Sequence, residues 1–136
     1  MSEYTYRHAI VNGGVVPPFI TQQFYDETLQ RVPLQEGDTI IDTYPKSGTT
    51  LTQYLLYLLL HGDIPKGLHL SKVVPWFDAD TFDSADIPKE KRIFKSHLSW
   101  KDMFKLPHLK YIYIARNIKD VCVSMFHHAR GIAAFG

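Results

Sequence analysis

The stretch "TYPKSGTTL", residues 43–51, places one lysine, one glycine and several hydroxyl groups in a turn between two apolar segments. The segment before it, "TIIDTY", is short and rich in β-branched residues, which predicts a strand over Thr39 to Tyr44. The segment after it, "TLTQYLLYLLLHG", has apolar residues at helical spacing and predicts a helix that ends at Gly62. A strand, a glycine-bearing loop and a helix in this order are typical of an anion-binding turn in an α/β fold.

The rest of the chain continues the alternation of strands and helices. "FITQQFYDETLQRV" predicts a short helix, "RIFKSHL" a strand ending near residues 95–97, and "LKYIYIARN" a central strand buried on both faces. "NIKDVCVSMFHHARG" predicts a helix with Asn117 as its N-cap and Asp120 in its first turn. Because "YLLYLLL" is apolar on nearly every side, we expect most of that helix to be buried. The order predicts an α/β fold with a parallel sheet, and residues 1–18 as a surface arm.

Composition limits the classes of protein to consider. The chain has 136 residues, 45% of them hydrophobic, which predicts one domain with a real hydrophobic core. A formal net charge of +1 argues against a broad basic face for nucleic acid. The single cysteine, Cys122, excludes an internal disulfide, indicates a reducing compartment and is expected to be a buried thiol. Without an apolar leader or a run of about 20 apolar residues, we expect a cytoplasmic protein that does not contact membranes.

The loop between strand and helix carries the chemistry of an anion site. Gly48 lets the backbone approach a ligand closely, Lys46 supplies a compact positive charge, and Ser47, Thr49 and Thr50 add hydroxyl donors. Taken alone, Pro-Lys-Ser-Gly favours a simple turn, with Thr49 as a helix cap. The strand before the loop and the apolar helix after it favour a cradle for an anionic group.

A nucleoside triphosphate is not the ligand that this loop predicts. Lys46 precedes the only glycine of the loop, whereas the nucleotide-binding pattern G-x-x-x-x-G-K-[ST] places lysine after the second glycine. The apolar strand "YIYIAR" ends in Arg116 rather than in an aspartate for Mg²⁺, which indicates a second anionic group and no metal. Ser124, two turns into the following helix, is placed to hold that group jointly with Arg116. A small residue at a packed contact explains Ser124 equally well.

A general base and an acceptor surface are predicted nearby. Of seven histidines, His97 is the one that follows a strand end, two residues after Lys95, and a histidine has the pKa to accept a proton near neutral pH. A purely structural histidine is the alternative. The aromatic residues Trp76, Phe77 and Phe82 either line an apolar acceptor site or belong to the core.

Three motifs together resemble one family. "TYPKSGTTL", "FKSHLSW" and "YIYIARNIKDVCVSMFHH" are similar to the motifs of the cytosolic sulfotransferases, which read approximately YPKSGTTW, KTHLP and RN-x-KDV-x-VS. The three occur in the family's order, and the resemblance runs from about Phe19 to the C-terminus. It implies a three-layer, P-loop-like α/β fold and transfer of a sulfuryl group from 3′-phosphoadenosine 5′-phosphosulfate (PAPS) to a hydroxyl or amine of a small acceptor, without a metal.

The resemblance also implies roles for individual residues. At the transferred group it implies His97 as general base, Lys46 at the departing phosphate and Lys95 at the sulfuryl oxygens. The implied phosphate contacts are Ser47, Gly48, Thr49 and Thr50 at the 5′-phosphate, and Arg116 and Ser124 at the 3′-phosphate. The acceptor that the aromatic residues suggest is a phenol, a steroid or another apolar alcohol.

Several features depart from the family pattern. Leu51 stands where the family has a tryptophan that stacks on adenine, and Ser99 replaces a proline. The chain corresponds to about the first half of the pattern, so we expect residues 1–136 to form one partial domain of a truncated fold that self-associates through exposed apolar surface. Two other functions stay open: an impaired fragment that binds adenosine 3′,5′-bisphosphate or a partner chain, and, less favoured, a P-loop phosphotransferase.

Overall fold

A computed structural model describes residues 9–11, 14–16, 20–31, 33–64, 66–78, 86–103 and 105–131. In chain order the elements are β1 (Ala9–Val11), β2 (Gly14–Val16), α1 (Gln22–Arg31), β3 (Thr39–Thr43), α2 (Thr49–His61), α3 (Leu70–Val73), β4 (Ile93–Ser96), β5 (Lys110–Ile114) and α4 (Ile118–Arg130). The predicted strands and helices are therefore present, and α3 is an additional short helix between α2 and β4.

The main sheet has three parallel strands in the order β4-β3-β5. β3 is the central strand and all five of its residues are buried. The prediction that "LKYIYIARN" forms the central strand is wrong, since β5 lies at an edge of the described sheet and Tyr113 is 62% exposed. An apolar run indicates a strand, but the position of that strand depends on which neighbours pair with it.

Apolar side chains from β3 reach both faces of the sheet. Ile40 belongs to a core cluster with Val11, Tyr25 and Phe94, on the side of α1 and the β1-β2 hairpin. Ile41, its neighbour, belongs to a second cluster on the side of α2 and α3. Successive side chains of a strand point to opposite faces, so one dipeptide supports two cores. The result is a parallel sheet with helices on both faces, which confirms the predicted α/β fold.

The N-terminal segment differs from the expected surface arm. Residues 1–8, 12, 13, 17 and 18 lie outside the described residues. β1 and β2 pair antiparallel, and Val11 is only 2% exposed within the core, whereas Ile10 is 66% exposed. The arm prediction is therefore wrong for β1, because strand alternation turns Val11 inward. The division into one partial domain stays a prediction.

The burial of α2 also differs from the prediction. Its buried residues are Thr49, Gln53 and Tyr57, while Leu55 is 57% and Leu59 is 80% exposed. Gln53 donates from Nε2 to the carbonyl oxygen of Val74 at 3.1 Å, so a polar residue on the buried face is hydrogen-bonded. The helix packs on the described sheet through one face only, and most of its leucines lie on the other. Gly62 ends α2 in the left-handed conformation, as predicted.

α4 begins as the sequence predicts, but its cysteine does not lie as predicted. The Asn117 side chain accepts a hydrogen bond from the Lys119 backbone N–H at 2.9 Å, and Asp120 lies in the first turn. Val121 is buried, whereas Cys122, one position further around the helix, is exposed, so the predicted buried thiol is wrong. Within the described ranges, no helix is both long and apolar enough to cross a bilayer.

Candidate anion-binding and transfer site

The loop between β3 and α2 has an unusual backbone. Lys46 has a φ of 68° and Gly48 a φ of 112°, so both lie in the left-handed region. Glycine adopts this region freely, whereas a lysine there is uncommon and costs on the order of 1–2 kcal/mol. The Ser47 N–H donates to the carbonyl oxygen of Tyr44 at 3.2 Å and closes the turn. Such strain is concentrated at binding and catalytic sites, which makes this loop a candidate site.

Backbone donors of α2 begin directly after this turn. Gly48 is the N-cap of α2 and has no side chain with which to cap the helix. The first intrahelical hydrogen bond runs from the Thr52 N–H to the Gly48 carbonyl oxygen, at 3.1 Å. The N–H groups of Thr49, Thr50 and Leu51 precede that bond and have no intrahelical acceptor. A Cβ built on Gly48 would have no heavy atom within 4 Å, so the space beside the loop is open. The arrangement is suited to an anion.

Thr43 joins the loop to His97. Its Oγ1 lies 2.6 Å from Oγ1 of Thr49, which turns the Thr49 hydroxyl toward the strand. The carbonyl oxygen of Thr43 lies 2.7 Å from Nδ1 of His97, and its Oγ1 lies 3.2 Å from the same nitrogen. Sequence reasoning did not single out Thr43. The available signal was its place at the end of β3, where side chains converge with those of the neighbouring strand.

The bond to Thr43 defines what His97 can do. A carbonyl oxygen only accepts, so Nδ1 carries the proton and Nε2 keeps its lone pair in the neutral ring. Burial lowers the pKa of His97 to about 4; the hydrogen bond to the Thr43 backbone opposes this, and the positive charge of Lys95 adds to it. At neutral pH the imidazole is therefore neutral, with a nitrogen able to accept a proton from a substrate.

Trp76 connects His97 with Lys95. The Lys95 ammonium lies 4.7 Å from the centroid of the Trp76 ring, and the His97 ring meets the same indole edge-on, with centroids 4.9 Å apart and planes at 83°. The structure thus brings the two predicted site residues at the end of β4, Lys95 and His97, into contact with one aromatic side chain. Phe77 is 1% exposed in the core, so it does not line a site. Phe82 lies outside the described residues.

The predicted second anion position adjoins the loop. Arg116 donates from Nη1 to the carbonyl oxygen of Lys46 at 3.2 Å, and most of its side chain is exposed. Ser124 is half-buried on α4, and no hydrogen bond joins it to Arg116 in the described part of the chain. The structure therefore brings Arg116 to the loop, and the joint role of Ser124 stays a prediction.

A cavity of about 540 Å³ lies between the loop, the end of β5 and α4. Its volume is in the range of small-molecule pockets. The lining is mostly apolar and consists of Tyr44, Ser47, Tyr113, Ile114, Ala115, Arg116, Ile118, Val121, Cys122, Met125 and Phe126. Ser124 is not part of this lining, because it projects from another side of α4.

Comparison with known proteins gives the family. The model of the sulfotransferase domain matches residues 36–135, a range that contains the loop, His97, Arg116 and α4. The chain belongs to the sulfotransferase family. Human sulfotransferase 4A1 is 32% identical to this sulfotransferase chain over 96% of the chain and 48% of the relative. Dog sulfotransferase 1A1 is 34% identical over 76% of the chain and 39% of the relative. The chain thus spans about half the length of the curated relatives it matches, or less.

Solved structures agree with this assignment. Mouse sulfotransferase SULT7A1, solved in complex with PAP, matches with a TM-score of 0.60 and 25% identity over 95% of this sulfotransferase chain and 46% of the mouse protein. Retinol dehydratase, solved with androsterone and the inactive cofactor PAP, matches with a TM-score of 0.62 and 23% identity, over 82% of this chain and 45% of that one. The second likeness supports the fold alone.

Proposed function

We propose that this chain forms the donor-binding and transfer part of a PAPS-dependent sulfotransferase, which moves a sulfuryl group to a hydroxyl or amine of a small acceptor. The observation that carries the proposal is the bond between His97 Nδ1 and the Thr43 carbonyl oxygen, at 2.7 Å. It links a neutral base to the strand that leads into the anion-binding loop. A base and an anion cradle at one strand end are the two parts that sulfuryl transfer needs.

The residues of the loop fit the phosphosulfate end of PAPS. The open space beside Gly48 and the N–H groups at the start of α2 suit the 5′-phosphate, together with the hydroxyls of Ser47 and Thr50. Thr49 contributes its N–H, because its hydroxyl is bonded to Thr43. Lys46 supplies the positive charge at the departing oxygen. These donors need little reorganisation during the reaction, which is why preorganised groups stabilise developing charge effectively.

Arg116 is the proposed partner of the 3′-phosphate. Its guanidinium is fixed near the loop by the bond to the Lys46 carbonyl oxygen, and its exposed donors are available to a second anionic group. We propose Ser124 as an additional contact that a bound ligand would have to bridge, since the two side chains are not hydrogen-bonded to each other. The donor would bind through charge and hydrogen bonds, without a metal ion.

The transfer step needs one proton acceptor and a stabilised leaving group. PAPS supplies the sulfuryl group, and the electron pair of its broken S–O bond stays on the 5′-phosphate oxygen. His97 takes the proton of the acceptor hydroxyl at Nε2 while the acceptor oxygen forms the new bond to sulfur. Lys46 stabilises the charge on the departing phosphate, and Lys95 the charge on the sulfuryl oxygens. Removing the acceptor's proton contributes about 10²–10⁴-fold to the rate.

For the acceptor we propose a phenol, a steroid or another apolar alcohol. Trp76 supports this class, because its indole lies next to His97 and offers an aromatic surface where the acceptor oxygen must arrive. Retinol dehydratase has been solved with retinol and with androsterone, both of which carry a hydroxyl on an apolar skeleton. A free amine on a similar skeleton is the second acceptor to try.

One observation favours a second function, which is ligand binding without turnover. Leu51 is 64% exposed at the place where the family stacks a tryptophan on adenine, so the aromatic contact is missing. A chain that holds adenosine 3′,5′-bisphosphate weakly, or that needs a partner chain, would show binding but no transfer. A P-loop phosphotransferase is disfavoured, because Arg116 follows β5 where a magnesium aspartate is expected.

Titration with three ligands separates these functions. Thermal stability and turnover are followed with PAPS, with the bisphosphate product and with Mg-ATP, using a phenol and a steroid alcohol as acceptors. The proposal expects stabilisation by PAPS and the bisphosphate, and sulfated product with PAPS. Stabilisation without product supports the binding function, and stabilisation by Mg-ATP alone would indicate a phosphotransferase.

A further inference from the structure

Two buried carboxyl groups near the site have no role in the mechanism above. Asp42 and Asp78 are both 0% exposed. Among the described residues, the two carboxyl oxygens of Asp42 have no hydrogen-bond partner. Asp78 has a partner for its Oδ2 but none for its Oδ1. Buried polar atoms are nearly always hydrogen-bonded, so exceptions call for a functional or structural cause. Asp42 directly precedes Thr43 on β3, and Asp78 follows Trp76 by two residues.

Asp78 holds the indole that contacts both residues of the transfer site. Trp76 donates from Nε1 to Oδ2 of Asp78 at 3.1 Å. The face of the same ring lies under the Lys95 ammonium, 4.7 Å from its centroid, and the ring meets His97 at a centroid distance of 4.9 Å. A rotation of the indole about its side-chain bonds would therefore disturb both contacts at once.

Backbone hydrogen bonds around Trp76 fix the position of the main chain, but they do not fix the orientation of the indole ring. The Lys95 N–H donates to the Pro75 carbonyl oxygen at 3.0 Å, and the Phe77 N–H donates to the Lys95 carbonyl oxygen at 2.9 Å. These bonds fix the main chain beside β4. The orientation of the ring depends on its side-chain torsions, and the bond to Asp78 is a directional constraint on them.

We propose that Asp78 is a positioning residue for sulfuryl transfer, which holds Trp76 so that its ring orients His97 and Lys95. The inference rests on the proposed function, because it takes His97 and Lys95 as members of the transfer site. Asp78 touches no substrate in this scheme and acts through the indole.

The charges around the indole are consistent with this role. Among the described residues, the charged or titratable groups around the indole are Lys95 from β4, His97 directly after β4 and Asp78, and the charge of Asp78 in turn acts on Asp42 of β3. Burial raises the pKa of Asp78 to about 6, against the effect of bonds from Ser96, Trp76 and the backbone. Burial, followed by the charge of Asp78, raises the pKa of Asp42 to about 6. The strength of the Asp78 carboxyl as a hydrogen-bond acceptor for Trp76 changes when this carboxyl titrates.

Nuclear magnetic resonance of the full 136-residue chain tests the inference. The Trp76 indole N–H signal and the His97 ring signals are followed from pH 3.5 to 8, with Trp100→Phe and His97→Gln as assignment variants. Asp78→Asn keeps an acceptor oxygen and removes the charge, whereas Asp78→Leu removes both. Asp42→Asn serves as the control for the neighbouring charge.

The expected results differ for each variant. In the unmodified chain the indole signal shifts with a midpoint near 6. Asp78→Asn abolishes that shift, keeps a hydrogen-bonded indole and leaves the His97 midpoint near 4. Asp78→Leu moves the His97 midpoint up toward 6.5, because the ring gains water when the indole is released. In a Trp76→Phe background, Asp78→Leu causes no further shift of the His97 midpoint.

Two results would overturn the inference. One is an indole signal in Asp78→Asn that matches the signal of the unmodified chain at every pH. This comparison tests the inference even if Asp78→Leu does not fold. The other is a shift of the His97 midpoint by Asp78→Leu that is equally large in the Trp76→Phe background and in the chain that keeps Trp76. None of these signals requires turnover. A chain that transfers no sulfuryl group counts against the proposed function, and unmoved signals count against the positioning role.

Discussion

Arg116 donates a hydrogen bond to the carbonyl oxygen of Lys46 at 3.2 Å, although the two residues are 70 positions apart in the chain. The bond joins the guanidinium of Arg116 to the backbone of Lys46, two residues that sequence patterns assigned to different anionic groups. It also fixes Arg116 beside the strained turn at Lys46, with the remaining guanidinium donors exposed. The proposed role of Arg116 at a second phosphate is the basis of the first prediction.

The first prediction concerns ligand choice. Adenosine 3′,5′-bisphosphate should bind more tightly than 5′-AMP, and added Mg²⁺ or a chelator should leave both affinities unchanged. Arg116→Ala should weaken the bisphosphate about 10–100-fold and affect AMP little, because one charge-assisted contact is lost. Calorimetric titration measures the affinities for both ligands. Lys119 is an exposed cation on α4, and Lys119→Ala is therefore the matched control. Equal affinity for AMP and the bisphosphate would show that Arg116 has no such role.

The second prediction concerns the base and the lysine of the loop. His97→Ala should reduce transfer to a hydroxyl acceptor by about 10²–10⁴-fold and leave PAPS binding nearly intact. Lys46→Ala should weaken both transfer and PAPS binding, since the proposed contacts of the lysine are with the donor and with its leaving group. The assay uses this chain, or a version extended to full family length if the chain alone gives no product. His61→Ala, a histidine bonded to the Lys91 carbonyl oxygen away from the loop, is the control. Normal turnover in His97→Ala would rule out the general-base assignment.

The third prediction concerns the proton of His97. Without ligand its pKa lies at about 4, because burial disfavours the imidazolium form. A bound bisphosphate brings negative charge to the site and should raise this pKa, since an opposite charge stabilises the charged form. The ring signals of His97 in a magnetic-resonance titration measure the change. A pKa that stays the same or falls when ligand binds would place the phosphates away from the imidazole.

The fourth prediction concerns stability and Asp42. Burial, and then the charge of Asp78, raises the pKa of Asp42 from 3.8 to about 6. Between these values the folded chain binds more protons than the unfolded chain, so the Asp42 contribution to the free energy of unfolding falls as the pH rises. Asp42→Asn should therefore be more stable than the unmodified chain above pH 6, on the order of 1–2 kcal/mol, with little difference below pH 4.

Urea unfolding of both chains at matched pH values measures this difference. The pKa of His97 is lowered to about 4, so its contribution has the opposite sign and grows as the pH rises from about 4 toward 6.5. That contribution is common to the two chains and largely cancels in the comparison. An Asp42→Asn chain that is less stable at pH 7.5 would show that the carboxylate makes a favourable interaction.

The fifth prediction concerns self-association. The outer side of α2 exposes Leu51, Leu55 and Leu59, the last at 80%, and β5 has a free edge in the described sheet. Apolar patches and open strand edges favour association. We expect the 136-residue chain to be marginally stable and to form oligomers or aggregates in sedimentation experiments. Leu59→Lys should reduce association without loss of stability.

Leu56→Lys is the matched control for that experiment. Leu56 packs against the core cluster of Ile41 and Tyr57, so a lysine there should lower the free energy of unfolding instead. A chain that sediments as a monomer, unfolds cooperatively and turns over PAPS would contradict the prediction. The first half of the family pattern would then suffice for a functional protein.

Local physical chemistry made much of the fold predictable from the sequence. The strand before residue 44, the helix after residue 48, the Asn117 cap and the Gly62 stop each depend on residues within a few positions of one another. The anion-binding loop is of the same kind, because a left-handed glycine and the donors of a helix start are adjacent in the chain. The family followed from three such local motifs in a fixed order.

Tertiary structure alone decided the features that depend on distant contacts. Strand order places β3 rather than β5 at the centre, and the sheet buries Gln53 and Tyr57 rather than the leucines of α2. Neither follows from apolar periodicity, which says that a face is apolar but not which surface covers it. The exposed Cys122 has the same cause, since its neighbour Val121 occupies the buried position.

The candidate site shows the same division. Residue type and strand-end position predicted Lys46, His97 and Arg116, whereas the bond from His97 to the Thr43 carbonyl oxygen and the contacts of the Trp76 indole with His97 and Lys95 were seen only in the folded chain. Thr43 meets His97 across 54 positions, and Arg116 meets Lys46 across 70. Contacts over such separations depend on how parallel strands align in the sheet. The sequence by itself determined the reactive groups and their local backbone, and the alignment of β3, β4 and β5 decided which of them meet.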